Sequence, residues 1–268
     1  MIRFPHSKIN LGLHIVRRRS DGFHELETCF YPVPLRDVLE IIPAARLEFT
    51  ASGIPIPAET AQNLCLKAYH LLQKNYSVPP VKIHLLKKIP TGAGLGGGSS
   101  NAAFVLMMLN EIFELKISEN QLLNLAAQLG SDVPFFIKTS PQLGSGRGEI
   151  LAPLPVVLKG CLVLAKPPVF ISSAEAFRKA TPKPPLLPLK KILEMPLKDW
   201  KEKLVNDFEP VIFKEHLNIA EAKEKLLRLG ALYASMSGSG SAVYGIFDKA
   251  PRAASQFKDC DYWELDLD

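Results

Sequence analysis

PTGAGLGGGSSNAA (residues 90–103) places five glycines in the seven positions from Gly92 to Gly98 and follows them with two serines. A run this dense lets the backbone come close to a bound anion. It is bounded by structure on both sides. Before it, residues 81–87 alternate Val81, Ile83 and Leu85 with Lys82, His84 and Leu86, the pattern of a strand buried on one face. After it, from Ser100, AAFVLMMLNEIF is too long and too rich in helix formers for a strand and predicts a helix.

Three kinds of phosphate loop compete for this stretch, beside the bland alternative of a flexible linker. A Walker A loop needs GxxxxGK[ST], and no Gly-Lys pair follows these glycines. A dinucleotide fingerprint is met formally by Gly92, Gly94 and Gly97. Against it, Pro90 interrupts the turn, Glu111 and Glu114 lie on the predicted helix, and the preceding strand is one-sided where a parallel strand is buried on both faces. The third reading is a wide loop that hands over to a helix N-terminus at Ser99 or Ser100. Free N–H groups and the positive helix end would hold a triphosphate, with the serine hydroxyls as further donors or, at Ser100, a magnesium ligand.

Working outward, KINLGLHIV (8–16) sets Ile9, Leu11, Leu13 and Ile15 on one face and Lys8, Asn10, Gly12 and His14 on the other, predicting a half-buried strand. Strands are also expected at 37–42 and 45–50, and the early sheet is expected to be mostly antiparallel. Ser118 with Gln121 reads as a capping box that opens a helix closed by Gly130, and Asp132 follows in GSDVPFF. Beyond about residue 155 come a strand at 161–167, the segment 172–180, and a proline-rich surface connection (TPKPPLLPLKK, 181–191). Helices are expected at 196–206, 219–229 and 250–258, two strands at 231–247 around the Gly/Ser loop Ser237 to Ser241, and a last strand at 262–267. The sum is an α+β chain in two lobes, 1–155 and 156–268.

With 268 residues, 47% of them hydrophobic, and a net charge of +5 from dispersed lysines and arginines, the chain has enough apolar mass for a core. Its charge suits an anionic ligand without calling for nucleic acid. The triplet Arg17, Arg18, Arg19 is either a solvated turn or a phosphate-steering patch. Cys29, Cys65, Cys161 and Cys260 lie far apart with no CxxC pair, as expected of buried reduced thiols. No apolar run approaches the ~18–20 residues of a membrane span, and MIRFPHSKIN lacks an apolar leader, so a cytoplasmic place without membrane contact is expected.

Four blocks carry a resemblance. PTGAGLGGGSSNA resembles the second motif of the GHMP kinases, SKINLGLHIVRRRSDGFHELET the first, and GSDVPFF (130–136) and SMSGSGSAVYGIF (235–247) match the remaining ones, in order along nearly the whole chain. His6 and Ser7 stand where the family commonly has small residues, and Phe23 where tyrosine is common. The resemblance implies a two-lobed GHMP kinase fold, with a ribosomal protein S5 domain 2-like N-terminal lobe and a ferredoxin-like C-terminal lobe. It also implies a small-molecule kinase using ATP and magnesium. Pro90, Thr91, Gly92, Ala93, Gly94, Leu95, Gly96, Gly97, Gly98, Ser99 and Ser100 would bind ATP.

In the same resemblance Asp132 is the base and Lys8 its partner; an opposite charge at ~4–6 Å lowers a carboxylate pKa by about 1–3 units. Asn10, on the face of Lys8 and ~7 Å along the strand, would offer a second donor to the ligand. The implied acceptor is a cytidine diphosphate alcohol whose base is gripped by Phe23 and His24 of DGFH, with Phe177 as the other stacking face. The Ser237 to Ser241 loop would close over the phosphates. A kinase of the same family with another acceptor and, from a different class, a dinucleotide-binding oxidoreductase remain the alternatives.

Overall fold

In a computed structural model, residues 1–56 and 63–267 are described. They form two compact units, each assembled from separate stretches of chain: residues 1–8, 35–91 and 96–139, and residues 9–34, 92–95 and 140–268. The expected lobe boundary at 155 falls inside the second unit.

The first unit contains β1 (Ile2–Arg3), β4 (Val38–Pro43), β5 (Glu48–Gly53) and β6 (Val81–Lys87), in the order β1-β4-β6-β5. β6 pairs antiparallel with β4 and parallel with β5. Its burial alternates as the sequence predicts, with Val81, Ile83 and Leu85 inward. Helices α1 (Leu64–Asn75), α2 (Gly97–Ile112) and α3 (Glu119–Leu129) complete the unit. α1 was not expected; Asn63 caps it by accepting the Cys65 N–H at 2.8 Å. α2 is the core helix, burying Ala102, Ala103, Val105, Leu106, Met108 and Leu109. It begins at Gly97 and not at the serines, because Gly96 adopts φ +69° as its N-cap and turns the chain into the helix earlier. α3 opens on the expected Ser118/Gln121 capping box.

β2 (His6–Arg18) starts in the first unit and continues into the second, where it lies in the sheet β2-β3-β7-β8 with β3 (His24–Arg36), β7 (Gln142–Ser145) and β8 (Ile150–Pro153). The expectation of a half-buried β2 fails: every residue from His6 to Ile15 is buried. Polar partners meet part of its polar face and one of its backbone N–H groups, while among the described residues Ser7 Oγ and both His14 ring nitrogens are buried without a hydrogen bond. Asn10 Nδ2 donates to Thr28 Oγ1 at 2.9 Å, Thr28 Oγ1 donates to the Gly12 carbonyl at 2.6 Å, and the Ile15 N–H donates to Asp207 Oδ2 at 2.9 Å.

A second sheet, β10-β11-β9-β12, holds β9 (Cys161–Lys166), β10 (Tyr233–Met236), β11 (Val243–Phe247) and β12 (Asp261–Asp266), all antiparallel. α4 (Ser173–Lys179), α5 (Leu189–Leu193), α6 (Glu209–Glu215) and α7 (Leu217–Arg228) connect β9 to β10. This is the ferredoxin-like βαββαβ plan, its second helical segment reduced to a 3₁₀ turn at Ala254–Gln256. The helix expected at 250–258 is therefore one turn.

The helix expected at 196–206 is absent as well; Pro196 starts a 3₁₀ turn, Leu197–Asp199. The helix lies earlier, at α5, inside the proline-rich connection, because Leu189, Ile192 and Leu193 are buried. α7 presents Ile219, Ala222 and Leu226 to a core that includes Leu13, Ile15 and Leu26 of β2 and β3 and Val163, Met236 and Val243 of β9, β10 and β11. Cys29, Cys65 and Cys161 are buried free thiols, and Cys260 is only half-buried. Desolvation pushes Cys29 and Cys65 up to about 12, which makes them inert.

Candidate active site

In the first unit, Lys8 Nζ lies 3.4 Å from Asp132 Oδ2. The lysine side chain is 4% exposed and the aspartate 36%, so the carboxylate faces outward over a buried cation. Burial pulls the Lys8 ammonium below the ordinary lysine range, and the Asp132 charge opposes that shift. Asp132 is placed by its turn: α3 ends at Gly130, and Pro134 starts the 3₁₀ turn Val133–Ile137 whose Phe135 and Phe136 are fully buried.

The glycine loop ends beside this pair. A Cβ added to Gly96 would stand 2.7 Å from Phe136 Cζ and 3.1 Å from Lys8 Cγ, so only glycine permits the approach. The start of α2, whose first N–H groups have no partner within the helix, is thus next to the lysine stem. Ser100 is fully buried and its Oγ has no hydrogen-bond partner among the described residues, whereas Ser99 is half-buried.

The loop residues in the second unit are held by the Gly/Ser turn between β10 and β11. Ser237 Oγ donates to the Gly94 carbonyl at 2.9 Å, the Ala242 N–H donates to the Ala93 carbonyl at 3.1 Å, and a Cβ at Gly94 would sit 1.9 Å from Ser237 O. Ala93 and Leu95 turn their side chains inward. The second loop is fixed in turn by residues the sequence did not reveal. Asn206 Nδ2 donates to the carbonyls of Met236 and Gly238, both at 2.8 Å, and the Met236 N–H donates to Glu209 Oε1 at 2.8 Å. Each of these polar side chains meets its partners from far along the chain, so no local motif marks it.

Asn10, also in the second unit, is buried; besides its bond to Thr28, its N–H donates to Ser237 Oγ at 3.3 Å. His24 stacks on Phe177, ring centroids 5.4 Å apart at 13°, and Phe177 meets Phe208 edge-on at 4.9 Å. Phe23 is 53% exposed and carries the Arg147 guanidinium over its ring at 4.9 Å, a contact not anticipated from sequence. Burial lowers the His24 pKa, with Arg18 adding to the effect, which favours a neutral ring at pH 7. Of the arginine triplet, Arg17 and Arg19 are ion-paired, Arg19 to Asp21 and Glu25 and Arg17 to Glu25, the behaviour of a solvated turn.

A glycine loop running onto a helix N-terminus, beside a buried lysine facing a half-exposed carboxylate, defines a phosphotransferase class. Family models agree: GHMP kinases N terminal domain matches residues 63–140 and GHMP kinases C terminal matches residues 189–261. The chain belongs to the GHMP kinases, which are ATP-dependent. More particularly, it is 51% identical to the 4-diphosphocytidyl-2-C-methyl-D-erythritol kinase of Bacteroides thetaiotaomicron, over 92% of each chain. It is 47% identical to the protein of that name from Parabacteroides distasonis, over 100% of each. A crystal structure of 4-(cytidine 5'-diphospho)-2C-methyl-D-erythritol kinase superposes with a TM-score of 0.86 at 34% identity, covering 99% of this chain and 98% of that one. The dinucleotide-binding alternative is thereby removed. No helix among the described residues is long and apolar enough to cross a membrane.

Proposed function

We propose that this kinase transfers the γ-phosphoryl group of ATP to the 2-hydroxyl of 4-diphosphocytidyl-2-C-methyl-D-erythritol, a step of the non-mevalonate route to isoprenoid precursors. The observation that carries the reaction is the Lys8–Asp132 pair beside Gly96; the acceptor is supported by the names of the relatives and by DGFH at 21–24.

Asp132 takes the acceptor's hydroxyl proton as that oxygen bonds to the γ-phosphorus and the bond to the ADP oxygen breaks. Lys8 balances the carboxylate charge and polarises the hydroxyl. Residues 90–100 hold the phosphates through backbone N–H groups at the start of α2, with Ala93 and Leu95 anchoring the loop from within. Asn10 holds the strand in place, its side-chain amide donating to Thr28 Oγ1 and its backbone N–H to Ser237 Oγ. The exposed ring of Phe23 and the His24–Phe177 stack receive the cytosine, where stacking is worth roughly 1–3 kcal/mol.

Magnesium fits the donors present. Among the described residues no group of three His, Cys, Asp or Glu side chains could hold a metal ion, and magnesium bound chiefly through phosphate oxygens needs few protein ligands. The unpartnered Ser100 hydroxyl is the residue that would contribute. When bound, the ion neutralises phosphate charge. The partners in this reading are small, water-soluble molecules, with no nucleic acid or membrane, and the setting is the cytoplasm.

The test is incubation with ATP, magnesium and the cytidine diphosphate alcohol, following ADP and a new phosphomonoester by phosphorus NMR. Both products are expected. Turnover with mevalonate or homoserine, and none with this acceptor, would overturn the assignment.

A further inference from the structure

Asp37, just before β4, has a carboxylate of zero exposure whose two oxygens have different tasks. Oδ1 accepts the backbone N–H groups of Lys88 and Ile89, at 2.7 and 2.8 Å, where β6 runs into the glycine loop. Oδ2 accepts from the Lys87 ammonium and, at 2.9 Å, from Asn101 Nδ2 in the second turn of α2. Lys87 and Asn101 are themselves 2% exposed, and a Cβ added to Gly97 would stand 2.8 Å from Lys87 Nζ. One buried carboxylate therefore grips the chain immediately before Pro90 and the helix immediately after Gly96.

We infer that Asp37, acting with Lys87 and Asn101, is a positioning residue for ATP: by pinning both ends of the loop 90–96 it presets the spacing between the loop and the N-terminus of α2. A loop closed in advance loses less conformational freedom when the triphosphate binds, and its N–H groups already point at the phosphate positions. Lys87 adds a buried positive charge beneath Gly97, neutralised by Asp37 so that the interior tolerates it. This rests on residues 90–100 being the ATP loop, and ATP binding by the unaltered protein tests that separately.

The division of labour between the two oxygens designs the experiment. Asp37→Asn keeps an oxygen for Lys88 and Ile89 and turns an NH2 group toward Lys87 and Asn101, so donors face donors. The double variant Asp37→Asn with Asn101→Asp reverses donor and acceptor and restores a carboxylate for Lys87. MgATP affinity is measured by calorimetry without acceptor, together with KM for each substrate and the melting temperature.

Asp37→Asn is expected to weaken ATP binding about 10- to 100-fold while the acceptor KM stays within about twofold, and the double variant to recover most of the ATP affinity. A folded Asp37→Asn protein with unaltered ATP affinity would overturn the inference, as would equal losses for both substrates that follow the melting temperature. If Asp37→Asn does not fold, Asn101→Ala takes its place. It removes one bond and is expected to weaken ATP selectively by a smaller factor; an unchanged ATP affinity there counts against the inference equally. Absence of ATP binding by the unaltered protein would instead remove the ATP assignment of the loop.

Discussion

Lys8 sits where burial disfavours its charge and the Asp132 carboxylate favours it, and this has a readable effect on pH dependence. Burial lowers its pKa from 10.5, and the Asp132 carboxylate opposes the shift. A lysine so shifted loses its proton at lower pH than a free one, so a rate that needs the ammonium falls with rising pH before 10.5 is reached. The alkaline limb of kcat/KM is expected below pH 10.5 and is expected to move out of range in Lys8→Arg, whose guanidinium stays charged. An unmoved limb in that variant would assign it to another group. Asp132→Asn and Lys8→Ala are each expected to lower kcat by about 10²–10⁴, with circular dichroism spectra unchanged; near-normal turnover in either would remove that residue from the chemistry. Asp37→Ala differs in kind. It leaves the Lys87 cation buried without its counter-charge, a change that costs about 3–5 kcal/mol, to be read as a shift in the urea midpoint.

The two glycine loops make a sharper prediction than their composition does. Gly94 has φ +75° and backbone of Ser237 where a Cβ would go; Gly98 has ordinary helical space, with Leu64 at 3.5 Å. Gly94→Ala is expected to abolish measurable ATP binding and lower the melting temperature, while Gly98→Ala, which improves helix propensity by up to ~1 kcal/mol, is expected to keep or raise the melting temperature. Equal behaviour of the two would show that the loops do not depend on this packing.

At this scale the sequence was legible where the signal is local. The alternation of β6, the capping box of α3, the turn between β10 and β11 and the loop itself are all written in neighbouring residues. β2 was half legible: its alternation marked a strand, but its burial involves distant residues, Thr28 holding the Asn10 amide from 18 residues away and Asp207 accepting the Ile15 N–H from 192. Alternation reports only that the two faces differ, never that one is wet. The roles of Lys8 and Asp132 rested on resemblance for the same reason, since nothing between residues 8 and 132 says that they meet.

For the whole molecule, the interleaved units constrain how the chain can be divided. The core around Val163, Met236 and Val243 includes Leu13, Ile15 and Leu26 from β2 and β3. A fragment of residues 156–268, the C-terminal lobe as sequence would cut it, lacks those side chains. Removing buried leucine or isoleucine side chains costs about 2–5 kcal/mol each, comparable in sum to the stability of a domain. The fragment is expected to show poor amide dispersion by NMR, and to gain it when β2 and β3 are restored by fusion. A well-dispersed spectrum from the fragment alone would show that the lobe is self-sufficient.

The same interleaving sets an order in time. All of the first unit has been synthesised once residue 139 is made, whereas the second needs β12, at the end of the chain. On the ribosome, Lys8, Asp132 and the start of α2 can therefore assemble while Leu13, Ile15 and Leu26 still wait, uncovered, for partners not yet translated. The strand that carries Lys8 is thus also a stretch whose apolar face waits, during birth of the chain, for partners as late as β11.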